Sequence, residues 1–254
     1  MTAALNIHPD RKTPRLKPLT ALSRMRRLIA DNEDTEQVFH IIEALNGRHL
    51  LSHLERFAET PAGAQRLAER RYLPTRLDDH AWIADLPEGT LGRAYLRFME
   101  RENLSAQGLV DESNKFYGQD FDDDLKWFGN RLRDTHDMFH VLTGYGRDAL
   151  GEAVLLAFSW GQHGGRGVIF ISFMGCRQLR KELPRDIDIT ACYEEAKRNG
   201  AAAEQILEQD ILALMEQPLD EVRAKLNIAK PVAYQAAMAQ IAAYTSENAD
   251  LAAV

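Results

Sequence analysis

His136-Asp137-Met138-Phe139-His140-Val141-Leu142-Thr143-Gly144-Tyr145-Gly146-Arg147-Asp148-Ala149-Leu150-Gly151-Glu152 is the stretch on which the fold turns. His136 and His140 stand four apart, a spacing that puts both imidazoles on one face of a helix, one turn from each other. Gly144-Tyr145-Gly146 reads as a helix stop. Asp148 is placed to cap a second helix beginning near Ala149, with Glu152 in its first turn. So short a turn implies antiparallel neighbours, which would swing Glu152 back toward the histidines. Two imidazoles and a carboxylate suit a divalent first-row metal, with positions left for water or substrate. The alternative is an ordinary surface or core histidine pair. Against it stand Asp137, Glu152 and the apolar neighbours Phe139, Val141, Leu142, Val154, Leu155 and Leu156, because polar groups are costly in such surroundings unless something satisfies them.

The motif is not that of the zincin proteases, in which Glu follows the first His and acts as general base. Here Asp137 follows His136, about 100° around the helix from it. Its role stays open among metal ligand, hydrogen-bond partner of a ligand and proton acceptor. An adjacent His-Asp pair also occurs in metal-dependent phosphohydrolases, but the further His and Asp ligands those enzymes need have no counterpart in this chain's pattern.

Outward from the motif the chain reads as helix nearly throughout, giving an all-α, multi-helix single domain. Residues 1–18 contain Pro9, Pro14 and Pro18 and are expected to be a loose arm, with the helical domain spanning 19–250. Helical patterns fall near 19–30, 35–46, 48–59, 62–70, 90–103, 122–143, 149–162, 168–181, 188–199, 202–216, 219–226 and 231–246, and 74–87 reads as a connection. Val168–Phe173 is β-branched and aromatic enough for a strand, yet no partner strand is apparent, so helix is expected. Alanine enrichment over 201–246 favours helix.

A hydrophobic content of 45% in 254 residues supports a sizeable core, and a net charge of −7 argues against a nucleic-acid partner. Cys176 and Cys192 lack CxxC spacing, which suits a reducing cytoplasm and no catalytic thiol. No signal peptide or transmembrane run is expected, since the apolar runs Ala153–Trp160 and Val168–Cys176 are too short to span a bilayer. The charge is uneven. Between Arg11 and Ala30 lie seven basic residues (Arg11, Lys12, Arg15, Lys17, Arg24, Arg26, Arg27) and no acidic one. With Leu16, Leu19, Leu22, Met25, Leu28 and Ile29, this segment is either a peripheral docking face for the inner, anionic membrane surface or a solvated arm and helix face.

Other residues carry weaker signals. Asp120, Asp122, Asp123 and Asp124 precede a helix and are read as N-capping and dipole complementation rather than as a second cation site. Arg131 and Arg133 would either hold a substrate carboxylate or phosphate near the metal or pair with Asp134 and Asp137. His49 and His53 share the i,i+4 spacing but lack a carboxylate at a convincing offset. They are assigned, with His40, to structure.

The pattern His136-Asp137-x-x-His140-x11-Glu152 matches the hallmark of the ubiquinone (coenzyme Q) biosynthesis family Coq4. Leu86-Pro87-Glu88-Gly89-Thr90-Leu91-Gly92-Arg93-Ala94-Tyr95 resembles a second block of that family, and Pro218-Leu219-Asp220-Glu221-Val222-Arg223-Ala224-Lys225-Leu226 its C-terminal block. The likeness runs from about Arg71 to Ile228. It departs at Gln162-His163-Gly164-Gly165-Arg166-Gly167, where many members carry Gln-Thr-Gly-hydrophobic-Pro. The resemblance implies decarboxylation of a polyprenylated 4-hydroxybenzoate-type intermediate, coupled in the family to oxidation or hydroxylation at the same ring carbon. His136, Asp137, His140 and Glu152 would be the metal ligands, and Asp137 and Glu152 the catalytic groups. Zinc fits the ligand set best, with iron or another redox metal fitting an oxidative reaction. Some of Trp127, Phe128, Phe139, Phe158, Trp160, Phe170 and Phe173 would line an apolar path for an isoprenoid tail. Implied partners are the polyprenylated aromatic substrate, other ubiquinone biosynthesis enzymes, a membrane surface from the cytoplasmic side and a second copy in a homo-oligomer. Two other classes remain at this stage: a non-catalytic scaffold or lipid carrier for that pathway, and a metal-dependent hydrolase.

Overall fold

Helix boundaries follow the capping chemistry of the sequence. Pro18 opens α1 (Pro18–Ala30) and Pro61 opens α4 (Pro61–Glu69), each in the first turn, where a missing amide hydrogen costs nothing. Between them lie α2 (Thr35–Asn46) and α3 (His49–Glu59). The side chains of Thr60, Asp79, Thr90, Asp123, Asp148, Asp188 and Asp210 each accept an amide hydrogen at a helix start. After Thr60, these caps begin α6 (His80–Ala84), α7 (Leu91–Glu102), α8 (Asp124–Asp134), α10 (Ala149–His163), α12 (Ile189–Ala202) and α13 (Ile211–Met215). The others are α5 (Pro74–Leu77), α9 (His136–Thr143), α11 (Arg166–Glu182), α14 (Leu219–Lys225) and α15 (Val232–Ala252), with a 3-10 turn at Ile206–Glu208. The computed structural model describes residues 4–12, 15–31, 34–108, 110–111 and 121–252, and among these there is no strand, only an isolated bridge between Thr90 and Pro218. The all-α reading holds, and Val168–Phe173 lies inside α11.

α10 is the spine of the core. α12 packs along it at a separation set by two glycines: a Cβ on Gly161 would lie 2.6 Å from the Lys197 carbonyl oxygen, and one on Gly200 would lie 2.0 Å from that of Phe158. α11 covers a second face of α10, α2 packs on α11, and α1 packs on α2. α9 lies against α7, and α8 against α3. The main core joins Tyr95, Met138, Leu142, Leu150, Val154, Phe158 and Met215. A smaller one joins Ala21, Met25 and Leu28 of α1 to Ile41, Ala44 and Ile171. Among the described residues, no helix is long and apolar enough to cross a membrane.

Several expected boundaries move. The single helix expected over 122–143 breaks at Thr135, whose hydroxyl donates to the Arg131 carbonyl at 2.8 Å, a back-bond that bends helices. The stretch 202–216 is likewise broken, despite its alanines. Gln162 ties down the intervening chain, donating to the Gly200 carbonyl and accepting from the Ile206 amide. Tertiary contacts here outweigh propensity. Two short helices, α5 and α6, occupy the expected connection 74–87.

The arm is anchored rather than loose where it is described. The amides of Asn6 and His8 donate to Asp124 and Asp123, and the Arg11 guanidinium pairs with Asp123. Asp123 also caps α8 through the Lys126 amide, as expected of the acidic run, while Asp120 lies outside the described residues. Burial alone would raise the Asp123 carboxyl, but Arg11 and the two amides outweigh it and hold it below the usual range. Cys176 and Cys192 are free and buried. Burial pushes their thiols up to about 12 and about 11, so neither is a ready nucleophile.

Candidate metal centre

The turn between α9 and α10 does what the sequence requires of it. Gly144 ends α9 with φ 78°, a left-handed conformation that glycine adopts without strain. The Asp148 carboxylate then accepts from the Gly151 amide at 2.9 Å and starts α10. Tyr234 of α15 steadies the turn, its hydroxyl donating to Asp148 and accepting from the Gly146 amide at 2.9 Å. Glu152 thereby returns to the histidines. Its Oε2 lies 3.6 Å from His136 Nε2 and its Oε1 3.4 Å from His140 Nε2. One ligand atom from each of His136, Asp137 and His140 falls within 4.8 Å of the other two.

The donor set fits a divalent metal, and His140 carries the strongest sign of it. Its side chain is fully buried, and its Nδ1 sits 3.0 Å from the Tyr145 carbonyl oxygen, so that nitrogen carries the hydrogen. The Nε2 faces Glu152 and makes no hydrogen bond of ordinary geometry. A carbonyl that fixes the tautomer and turns the other nitrogen outward is what metal-binding imidazoles usually have. Phe98 of α7 stacks on the His140 ring with centroids 5.4 Å apart and removes water from that side. His136 and Glu152 are more open, at 30% and 36% exposure, and form the mouth.

Burial would raise the Glu152 carboxyl, yet His136 and His140 outweigh it and hold Glu152 below the usual carboxylate range. Burial would also lower His136, yet Glu152 and then Asp137 outweigh it and raise the imidazole. Glu152 is thus a carboxylate set between two imidazoles.

Arg131 is not at this site. It is buried, and its guanidinium donates to the Leu207 and Gln209 carbonyls, both at 2.7 Å. The substrate role expected of it gives way to a structural one, because its donors are already committed. Arg133 donates to Asn130 on its own helix. The arginine that does reach the motif is Arg147, with its Nε 3.7 Å from Glu152 Oε1 and a terminal nitrogen 4.0 Å from Glu102 of α7. Sequence reasoning missed it, although its place five residues before Glu152 in the inter-helix turn was a usable signal. Phe98 and Glu102 carried no such signal, because only packing brings α7 to α9. Of the aromatic set, Phe128, Phe139 and Phe158 are core, while Phe173 is 53% exposed.

Comparison with known proteins gives the family. The family described as coenzyme Q (ubiquinone) biosynthesis protein Coq4 matches residues 14–232. The chain belongs to the Coq4 family. Its Coq4 span contains the motif and both flanking blocks. The Coq4 homologue of Rattus norvegicus, named as a mitochondrial ubiquinone biosynthesis protein, is 31% identical over 75% of this chain and 70% of its own length. The human homologue is 32% identical over 67% of this chain and 62% of its own. The Coq4 of Komagataella phaffii is 26% identical over 67% and 54%. A crystal structure described as a putative ubiquinone biosynthesis protein from Nostoc punctiforme covers 85% of this chain and 100% of its own at TM-score 0.63 and 22% identity, a likeness of fold.

Proposed function

We propose that this Coq4-family chain is a metal-dependent carbon–carbon lyase of ubiquinone assembly, removing the ring carboxylate of a polyprenylated 4-hydroxybenzoate-type intermediate. The observation that carries the reading is Glu152 set between two imidazoles, with the buried Nε2 of His140 beside it and without a hydrogen bond. His136, His140 and Glu152 would hold the ion, with Asp137 as a fourth ligand or as the acid/base. When bound, a zinc ion supplies Lewis acidity toward substrate oxygens, and iron or another redox metal supplies electron transfer as well.

The remaining roles belong to the chain. Arg147 has the geometry to take the substrate carboxylate, since a guanidinium binds a carboxylate through two parallel hydrogen bonds. In this reading Asp137 hands a proton to the ring carbon as the carbon–carboxyl bond breaks and carbon dioxide leaves. In an oxidative version one atom of dioxygen would supply a hydroxyl to that carbon as carbon dioxide leaves, and a two-electron donor would reduce the other atom to water. Phe98 and the apolar face of α9 keep the site dry on its inner side.

The test is turnover of a short-chain prenylated hydroxybenzoate by metal-reconstituted protein, followed by mass spectrometry with and without oxygen, beside His140→Ala. Loss of the carboxyl group by the wild type alone supports the lyase. Binding without turnover under any metal would replace it with a scaffold that gathers other ubiquinone enzymes around the intermediate.

A membrane surface is the second part of the reading. α1 buries Ala21, Met25 and Leu28 against the body and leaves Leu19, Leu22 and Ile29 exposed, with Leu19 at 82%, and Leu16 just before the helix is exposed as well. Arg15, Lys17, Arg26 and Arg27 are exposed around them. An apolar stripe ringed by cations suits an anionic bilayer surface. Leu19→Glu with Leu22→Glu should lower binding to anionic liposomes at least about tenfold and leave the thermal midpoint unchanged. Equal binding by the variant would remove the docking face.

A further inference from the structure

The far end of α10 opens on a cavity that the motif does not use. It has a volume of about 220 Å³ and lies between α3, the last turn of α10 and the 3-10 turn at Ile206–Glu208. Gln162 builds one wall. Its side-chain amide donates to the Gly200 and Ala203 carbonyls and accepts from the Ile206 amide, while Gln205 donates to the Gln162 carbonyl. The 3-10 turn is thereby held opposite α3, with Leu207 and Glu208 lining the space. Gln162-His163 is also where the sequence departs from the family pattern.

The inner surface is apolar and aromatic. Phe57 and Leu207 are buried there. His53 stacks on His163 with centroids 5.1 Å apart and meets Phe128 edge to face at 4.8 Å. Burial, then the neighbouring histidines and Arg56, hold His53 at about 3, and burial then His49 hold His163 at about 4, so both rings line the cavity without charge at pH 7. His53 is buried and makes no hydrogen bond among the described residues.

Two charges of opposite sign face this surface. Arg56 is exposed and Glu208 half-buried, and both line the cavity. Among the described residues neither forms an ion pair, with the other or with any third group. A lone anion entering the cavity would meet Glu208, and a lone cation would meet Arg56. A molecule carrying both signs next to an apolar group satisfies the whole lining. Burial raises the Glu208 carboxyl, and an ammonium group beside it would offset that rise.

We propose that this cavity binds a small zwitterionic amino acid with an apolar side chain. The ligand carboxylate would pair with Arg56, whose guanidinium offers two parallel hydrogen bonds, and the ammonium with Glu208. The side chain would cover Phe57, Leu207 and the stacked imidazoles, and His53 offers a further hydrogen bond. A cavity of roughly 150 Å³ takes a benzene ring, so the volume here admits a leucine or phenylalanine side chain. Eleven residues of α10 separate Glu152 from His163, about 16 Å along the helix, so the site does not depend on the motif.

The test is calorimetric titration of the full-length protein with L-leucine, with the histidine ring signals followed by NMR on the same samples. One leucine per chain should bind saturably and move the His53 and His163 signals. His140→Ala should bind it equally, which separates this site from chelation at the motif. Isocaproate, which lacks the ammonium, and isoamylamine, which lacks the carboxylate, should each bind at least about tenfold more weakly. Leucine should bind Arg56→Gln and Glu208→Gln more weakly by a similar factor. Neither side chain is buried or ion-paired, so both variants should keep the wild-type thermal midpoint. Absence of saturable binding by both leucine and phenylalanine would overturn the proposal, as would leucine binding that both variants leave unchanged. Isocaproate binding as tightly as leucine would overturn it too, in favour of a plain anion site.

Discussion

α10 holds histidines at both ends, and the two ends behave oppositely. At the Ala149 end a carboxylate, Glu152, lies between the imidazoles, and His136 is raised despite burial. At the His163 end burial, then neighbouring histidines and, for His53, Arg56, push His53 and His163 down to about 3 and about 4, with Glu208 only across the adjoining cavity. Burial is the largest influence on the imidazoles at both ends and lowers them. What differs is the neighbouring charge: a carboxylate against the ring outweighs burial, whereas histidines and arginines add to it.

The largest effect is expected at the motif. His140→Ala should lower turnover at least about a thousandfold and abolish metal retention there, measured by mass spectrometry and metal analysis on one preparation. Unchanged turnover would end the distinction between the two ends. Arg131→Met should cost about 3 kcal/mol in denaturant unfolding, because it leaves the Leu207 and Gln209 carbonyls buried without donors. Metal stoichiometry should not change. Loss of substrate binding without loss of stability would return Arg131 to the active site.

The pH response sharpens the contrast. His53 has a folded value of about 3 against 6.5 unfolded, so protonation favours the unfolded chain. Its contribution is complete above pH 6.5 and is lost as pH falls, by about 2 kcal/mol between pH 7 and 5 in metal-free protein. His136 has the opposite sign: its raised value gives stability that is present below 6.5 and lost as pH rises through the folded value. Unfolding of His53→Leu between pH 5 and 7 should flatten the acid limb. An unaltered limb would mean that His53 titrates normally. The smallest effect belongs to Arg147→Ala, expected to raise KM for the carboxylated substrate about tenfold with kcat and fold retained. A fall in kcat at constant KM would place Arg147 in the chemical step instead.

Most helices were legible before any coordinates, as were the Gly144 stop, the Asp148 cap and the return of Glu152 to His136 and His140. The functional reading also drew on three blocks in the order of a known family. Where the reading failed, a distant partner was responsible. Arg131 sits in the motif's approach and looked like a substrate ligand, yet its acceptors lie 76 and 78 positions downstream. His163 stood out in the sequence only within the departure from the family pattern at 162–167, and α3 places His53 against it.

The sequence by itself determined what depends on spacings of a few residues: which side chains share a helix face, where a cap starts a helix and where a glycine ends one. Backbone geometry repeats every turn, so these relations survive any packing. Tertiary structure alone decided which arginine reaches the motif, where α8 and α9 part at Thr135, and which histidines meet at the end of α10. Those outcomes depend on how helices cross. Crossing is set by side-chain volumes along whole interfaces, such as the glycine contacts of Gly161 and Gly200, and no short motif records it.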